Sequence, residues 1–408
     1  EESTTDTEES TTDTEESTDT KGDCPGDIDC DGLLDEEDPL PTDPFPPFFV
    51  NGTETGVIEV WNSNGDGTFA APFEIGIPYG GNTPQQGDYA IYYAGPSIAD
   101  YDGDGRLDML MSAYRSPNLP RELWWFERVG PQQFTQRLVD ADPPSFYNRT
   151  IDLDGDHAPD NFTYEVDKFN NGFIAAMRVY GLALSGDVRT ANCAVSDDPL
   201  NPGGCVFVRS QPTDLSPWYI NQWQSGFPLI GRDLDGDGSG DLLITKYASG
   251  GASPSPIGRI DGLGGGTFTN APALLLTHPL PVNTMVIEDF DEDGVYDFIG
   301  GCDDDGDPGS LWFYPGVLNQ GTYTLDGVGA FETIDFGNSG HNCAAHAFDW
   351  DGDGHLDLIT GHNTGGVYAT PTELNYFRGL GDGHFDPPIT LATYPGLEAW
   401  RMVGPSLF

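Results

Sequence analysis

From about residue 46 to the C-terminus, short apolar runs alternate with clusters of Gly, Pro, Asp and Asn. The runs span roughly four to six residues, are rich in Val, Ile, Phe, Tyr and Trp, and end at turn residues, which predicts β-strands. Apolar residues rarely recur at the three-to-four spacing of an amphipathic helix, so the pattern predicts an all-β fold.

The pattern also repeats at long range. An apolar stretch, an acidic nine-residue loop and a second apolar stretch follow one another in IADYDGDGRLDMLM (98–111) and AFDWDGDGHLDLIT (347–360). The loop itself occurs as DYDGDGRLD (100–108), DLDGDHAPD (152–160), DLDGDGSGD (233–241), DFDEDGVYD (289–297) and DWDGDGHLD (349–357), at intervals of 52, 81, 56 and 60 residues. Later in the units a Gly-rich turn leads into an aromatic: NGDGTF (64–69), GGGTF (264–268) and GDGHF (381–385), with weaker forms PQQF (131–134) and QGTY (320–323). Each unit thus reads strand, acidic loop, strand, link, strand, tight turn, strand, which is one four-stranded propeller blade.

The ends suggest how the ring closes. GVIEVWNSNGDGTFAAPFEI (56–75) is the back half of a unit without its loop, and WRMVGPSLF (400–408) matches YYAGPSIAD (92–100). Pairing of N- and C-terminal strands would complete a shared blade, giving a β-propeller of six blades. The 81-residue interval could instead hold a seventh blade, or an insertion stapled by Cys193 and Cys205.

Loop chemistry points to calcium. Asp at positions 1, 3, 5 and 9, with the carbonyl of position 7, offers oxygen ligands of the kind calcium takes in a shell of about six to eight. The sets are Asp100, Asp102, Asp104, Asp108 with Arg106; Asp152, Asp154, Asp156, Asp160 with Ala158; and Asp233, Asp235, Asp237, Asp241 with Ser239. The last two are Asp289, Asp291, Asp293, Asp297 with Val295, and Asp349, Asp351, Asp353, Asp357 with His355. An EF-hand would need a Glu at position 12 between helices. Position 12 is Met111, Thr163, Ile244, Gly300 or Thr360, each in a strand pattern, so that class is excluded. His157 and Pro159 make the second loop the least regular, with the weakest expected occupancy; Glu292 at position 4 of the fourth is expected to be harmless. Repetition in every blade argues for bracing rather than for catalytic carboxylates.

The formal net charge of −51, from 67 acidic and 16 basic residues, disfavours nucleic acid and anionic lipid as partners and favours cations. About five calcium ions would return much of that charge. Six cysteines at 24, 30, 193, 205, 302 and 343 show no zinc spacing. Disulfides Cys24–Cys30, Cys193–Cys205 and Cys302–Cys343 are expected, hence an oxidising compartment, with buried or free thiols as the alternative. No apolar run reaches the roughly 18 residues of a membrane span, and the start of the chain fits a processed product.

Residues 1–22, built on EESTTDT repeats, predict a disordered, self-repelling tether for surface display. Residues 23–45 place Asp27, Asp29, Asp31 and Asp35 at positions 1, 3, 5 and 9, with Asp38 at 12, so this stalk could hold one more calcium.

The five loops in strand context, with the GDGTF-like turns, resemble FG-GAP and VCBS-type repeats, as in integrin alpha-subunit propellers. Residues 23–45 resemble a single thrombospondin type 3 repeat. The first resemblance covers 46–408 and implies a β-propeller with calcium between the first two strands of each blade; it implies no one activity.

Counting past each ninth-position Asp to the opposite strand ends gives a candidate ligand rim. It comprises Tyr114, Arg115, Glu165, Lys246, Tyr247, Asp303, His341, His362 and Asn363. Gly-His-Asn occurs there twice, at 340–342 and 361–363, either as a polar pocket or as strand-end caps. Three functions are compatible: an extracellular or cell-surface adhesion module for glycan or protein, a self-associating structural subunit of a surface layer or filament, and a polysaccharide lyase or hydrolase. No Ser-His-Asp order, HExxH, nucleotide loop or GxSxG supports the enzyme, and no catalytic residue is assigned.

Overall fold

The computed structural model describes residues 45–52, 57–76, 96–101, 105–114, 121–140, 147–151, 159–164, 176–181, 208–209, 213–214, 229–245, 254–263, 268–269, 272–279, 282, 284–302, 309–336, 341–363, 372–395 and 402–403. Every regular element among them is a β-strand, and no helix there is long and apolar enough to cross a membrane.

The strands form six antiparallel sheets of four or five strands, the blades, and one two-stranded hairpin. Blade 1 joins Phe48–Gly52, Val57–Asn62 and Phe73–Gly76 to Met402–Val403 from the other end of the chain. Val50 faces Val403 and Asn51 faces Met402, so the expected terminal closure is present. Blade 2 is Ser97–Ala99, Asp108–Tyr114, Arg121–Gly130 and Gln133–Asp140. Blade 3 has Tyr147–Ile151, Asp160–Tyr164 and Ala176–Gly181, with the short Val208–Arg209 and Thr213–Asp214 sharing its outer edge. The long interval therefore supplies outer strands to blade 3, and the described residues contain no seventh sheet of blade size.

Blade 4 is Leu229–Arg232, Asp241–Thr245, Ser255–Ile260 and Ala273–His278. Blade 5 is Thr284–Glu288, Asp297–Gly301, Ser310–Tyr314 and Phe331–Asp335, carrying an extra hairpin of Gly316–Asn319 and Thr322–Leu325. Blade 6 is His341–Phe348, Asp357–Asn363, Thr372–Phe377 and Ile389–Tyr394.

The first strands of blades 2 to 6 touch in succession, and that of blade 6 touches Met402–Val403, which is how sheets arrange around one axis. Blades 1 and 2 close the ring through a cluster that includes Phe48, Val60, Ile98, Met109 and Phe126. Because each sheet is covered on both faces, inner strands read as unbroken apolar runs. Asp241–Thr245 (DLLIT) is buried at all five positions, whereas outermost Ile389–Tyr394 (ITLATY) is largely exposed.

Aromatic wedges lock successive blades. Phe69, from the NGDGTF turn of blade 1, lies 5.5 Å from Trp350 in the acidic loop of blade 6 and 6.1 Å from Tyr376. Phe385, from the GDGHF turn of blade 6, lies 6.1 Å from Phe290 in the loop of blade 5. Each such pair contributes about 0.5–1.5 kcal/mol beyond its buried area. The backbone is capped at the same junctions: Ser63 Oγ donates to the Trp350 carbonyl at 2.9 Å, and Gly383 N–H to the Phe290 carbonyl at 3.3 Å. The two sequence motifs recur together because the turn of one blade seats on the loop of its neighbour.

Cys302 and Cys343 form the expected disulfide between blades 5 and 6, with Cα atoms 6.0 Å apart. The segment 1–44, with Asp27, Asp29, Asp31, Asp35 and Asp38, and the pairs Cys24–Cys30 and Cys193–Cys205 lie outside the described residues.

Candidate metal centre

The acidic loops of blades 4, 5 and 6 are tight coils wound around the first Asp, and the first Asp of blade 2 makes the same bond. Position 1 accepts the N–H of position 6 at 2.9 Å in every case: Gly105 to Asp100, Gly238 to Asp233, Gly294 to Asp289 and Gly354 to Asp349. The coil needs left-handed backbone at position 6, where φ is 84–88°, which explains the glycine. Position 4 is left-handed as well, at 74° in Gly236 and 71° in Gly352. Glu292 occupies that position with φ 60°, so it is not the neutral replacement expected; the conformation costs about 1 kcal/mol. Its carboxylate is offset by a bond to His355 in the blade 6 loop, and that contact holds the imidazole above its ordinary pKa.

The coil gathers carboxylates. Oxygens of Asp233, Asp235 and Asp241 lie within 4.8 Å of one another, as do those of Asp289, Asp291 and Asp297, and of Asp349, Asp351 and Asp353. Two ligands on one ion at about 2.3–2.6 Å can stand that far apart, and oxygen-only sets suit a hard cation. Asp235 Oδ1 is buried without a hydrogen-bond partner, as an oxygen facing an ion would be. Burial pushes Asp235, Asp291 and Asp349 above the ordinary carboxylate range.

The ninth-position Asp has a second task. Asp241 accepts from Leu234 N–H at 3.2 Å and Gly262 N–H at 2.8 Å. Asp297 does the same with Phe290 and Gly316, and Asp357 with Trp350 and Gly379. In blade 2, Asp108 accepts from Trp125 Nε1 and Arg128 N–H. This carboxylate therefore brackets its loop to the end of the third strand. Burial drives Asp241, Asp297 and Asp357 up to about 7. In blade 6, Asp357 also accepts from the Tyr376 hydroxyl, and it stands outside the converging group.

The bracketing glycines escaped sequence reading. They follow their Asp by 21, 19 and 22 residues, and that recurrence was the available signal. A Cβ on Gly262, Gly316 or Gly379 would fall 2.4, 2.0 or 2.1 Å from the carbonyl oxygen of Gly240, Tyr296 or Leu356. Two arginines were also missed: Arg259 pairs with Asp235, Asp241 and Asp261, and Arg378 with Asp351 and Asp353.

Of the other expected ligands, Asp237, Asp293 and the carbonyl-bearing Ser239, Val295 and His355 lie in their coils. Arg106 lies in the first loop and Asp160 opens a strand of blade 3. Asp102, Asp104, Asp152, Asp154, Asp156 and Ala158 lie outside the described residues.

On the opposite rim, residues of the two Gly-His-Asn triplets pair across adjacent strands. His341 and Asn363 are cross-strand partners at the end of blade 6 farthest from its loop. His362 is instead buried, its ring 4.5 Å from that of Phe336, and burial lowers its pKa to about 4. Tyr114 ends its strand; Arg115, Glu165, Lys246, Tyr247 and Asp303 lie outside the described residues. Asn51, in an N-x-Thr sequence, is fully buried in blade 1, where the folded chain has no room for a glycan.

No family model and no curated protein matches the chain. Among solved structures, AofleA from Arthrobotrys oligospora aligns at 9% identity over 89% of this chain and 91% of its own, with a TM-score of 0.45. The six-bladed β-propeller lectin of Aleuria aurantia, described with a novel fucose recognition mode, aligns at 11% identity over 85% and 94%, with a TM-score of 0.41. Likeness at that level reaches neither family nor ligand; the chain is a six-bladed β-propeller by its own ring of sheets.

Proposed function

We propose that the chain is an extracellular binding propeller of the FG-GAP/VCBS kind, braced by calcium on its acidic loops, which presents its opposite rim to a glycan or protein. One observation carries the brace: successive blades converge three carboxylates at the same place, around a coil whose N–H groups are already spent on the aspartates. Bound calcium would supply the missing positive charge, keep the ninth-position Asp ionised and tie each loop to the turn seated on it. The Cys302–Cys343 bond suits an oxidising compartment.

The ligand reading rests on the opposite end of the blades, where His341 and Asn363 come together beside Cys343. With 67 acidic and 16 basic residues, the protein favours a neutral glycan or a basic protein there. Chelation should lower the melting temperature by several degrees, reversibly on adding calcium; an unchanged transition refutes the brace. Glycan-array and protein-binding screens should identify a ligand lost on His341→Ala with Asn363→Ala. Undiminished binding by that variant removes the rim assignment, and turnover of a polysaccharide would establish the enzyme instead.

A further inference from the structure

The acidic loops differ in whether the protein's own cation reaches them. In blade 6, Arg378 lies just past the third strand, Thr372–Phe377. Its Nε is 2.7 Å from Asp351 Oδ2, and its Nη2 pairs with Asp353 Oδ2. The remaining oxygens are also engaged: Asp351 Oδ1 accepts from Asp353 N–H at 3.2 Å, and Asp353 Oδ1 from His355 N–H at 2.9 Å. Both carboxylates are thus bonded at both oxygens.

Blade 5 lacks that arrangement. Asp291 Oδ1 and Asp293 Oδ1 accept the equivalent N–H groups at 3.3 and 2.9 Å. No basic side chain among the described residues pairs with Asp289, Asp291, Asp293 or Asp297; nearby Arg232 pairs with Glu288. Blade 4 is intermediate, because Arg259 takes Asp235 Oδ2 at 3.2 Å and approaches Asp241 Oδ2 at 3.7 Å but leaves Asp235 Oδ1 without a hydrogen-bond partner. The converging sets follow suit, with positions 1, 3 and 9 in blades 4 and 5, but 1, 3 and 5 in blade 6.

We propose that Arg378 is a latch that competes with the divalent cation, so that blade 5 fills before blade 6, which fills only as Arg378 swings away. This rests on the calcium reading and adds an order to it. A guanidinium bonded to two ligand oxygens stands roughly 5 Å from an ion on those oxygens, and their repulsion weakens binding on the order of 10-fold after screening. The Arg378 side chain is 47% exposed, so it can leave for water without stranding a buried charge. At low calcium the same side chain holds the blade 6 loop together in place of the ion.

The test is calcium titration of the full chain, freed of metal by chelation and dialysis, using calorimetry and terbium luminescence. Asp291→Asn should abolish a step tighter than the one that Arg378 governs. Arg378→Ala should tighten one weaker step about 10-fold and lower the melting temperature in chelator. Arg378→Gln, which keeps a polar side chain, should tighten the same step and serves if the alanine variant fails to fold. Wild-type binding with unchanged or weaker affinity in the Arg378 variants overturns the latch and leaves the brace standing. Retention in Asp291→Asn of every step tighter than the one that Arg378 governs overturns the order of filling. A wild type that binds no calcium overturns both the latch and the brace.

Discussion

Gly379→Ala isolates the contact that ties an acidic loop to its own blade. The new Cβ would sit 2.1 Å from the Leu356 carbonyl oxygen and 2.8 Å from its carbon, both backbone atoms that cannot rotate aside. Relief requires the end of the third strand to move outward. That movement stretches the 2.8 Å bond from Gly379 N–H to Asp357 Oδ1. Overpacking of this sort costs about 1–3 kcal/mol, and a buried bond to a carboxylate is worth about 1.5–3 kcal/mol. The expected loss is about 3–5 kcal/mol, a large part of a domain's net stability. Gly327→Ala is the control, since nothing lies within 4 Å of its Cβ, and it should change stability by less than about 0.5 kcal/mol. Urea unfolding in chelator, at matched m-values, measures both without any metal contribution. A Gly379→Ala loss below about 1 kcal/mol would refute the close approach and, by equivalence, those at Gly262 and Gly316.

Two other expectations concern blade 6. Ser63→Ala removes the bond to the Trp350 carbonyl and the 3.0 Å bond from Gly65 N–H at the blade 1 junction; the urea midpoint should fall by the equivalent of about 1–2 kcal/mol, and no shift would mean the junction is held by aromatic packing alone. His362 has a folded pKa of about 4, below its usual value near 6.5, so its contribution is complete above pH 6.5 and is lost as pH falls toward 4. Between pH 7 and pH 5 the wild type should lose about 2 kcal/mol more than His362→Phe in paired unfolding curves; parallel losses would show that His362 takes up a proton while folded.

Much of the architecture is local in sequence and therefore legible there. The acidic coil is written within nine residues: aspartates supply acceptors, glycine at position 6 supplies left-handed backbone, and flanking apolar runs supply the strands. The NGDGTF and GDGHF turns are equally short-range, and the unit length bounds the blade count. Even ring closure could be read, because WRMVGPSLF matches the opening of a later unit and Met402–Val403 indeed pairs with Phe48–Gly52.

What the sequence withheld depends on atoms brought together across a blade or between blades. The need for Gly262, Gly316 and Gly379 arises only when the third strand passes a carbonyl of the loop. Arg378 meets Asp351 and Asp353 across 27 and 25 residues, and Glu292 meets His355 across 63. His362 and Asn51 look like surface polar residues in the chain and are buried by neighbours far away in it. Composition and spacing determined that acidic loops would recur on a propeller. Only packing decided which carboxylates bracket a strand, which hold an arginine and which have no basic partner among the described residues, because close approach and local charge balance are properties of the assembled ring.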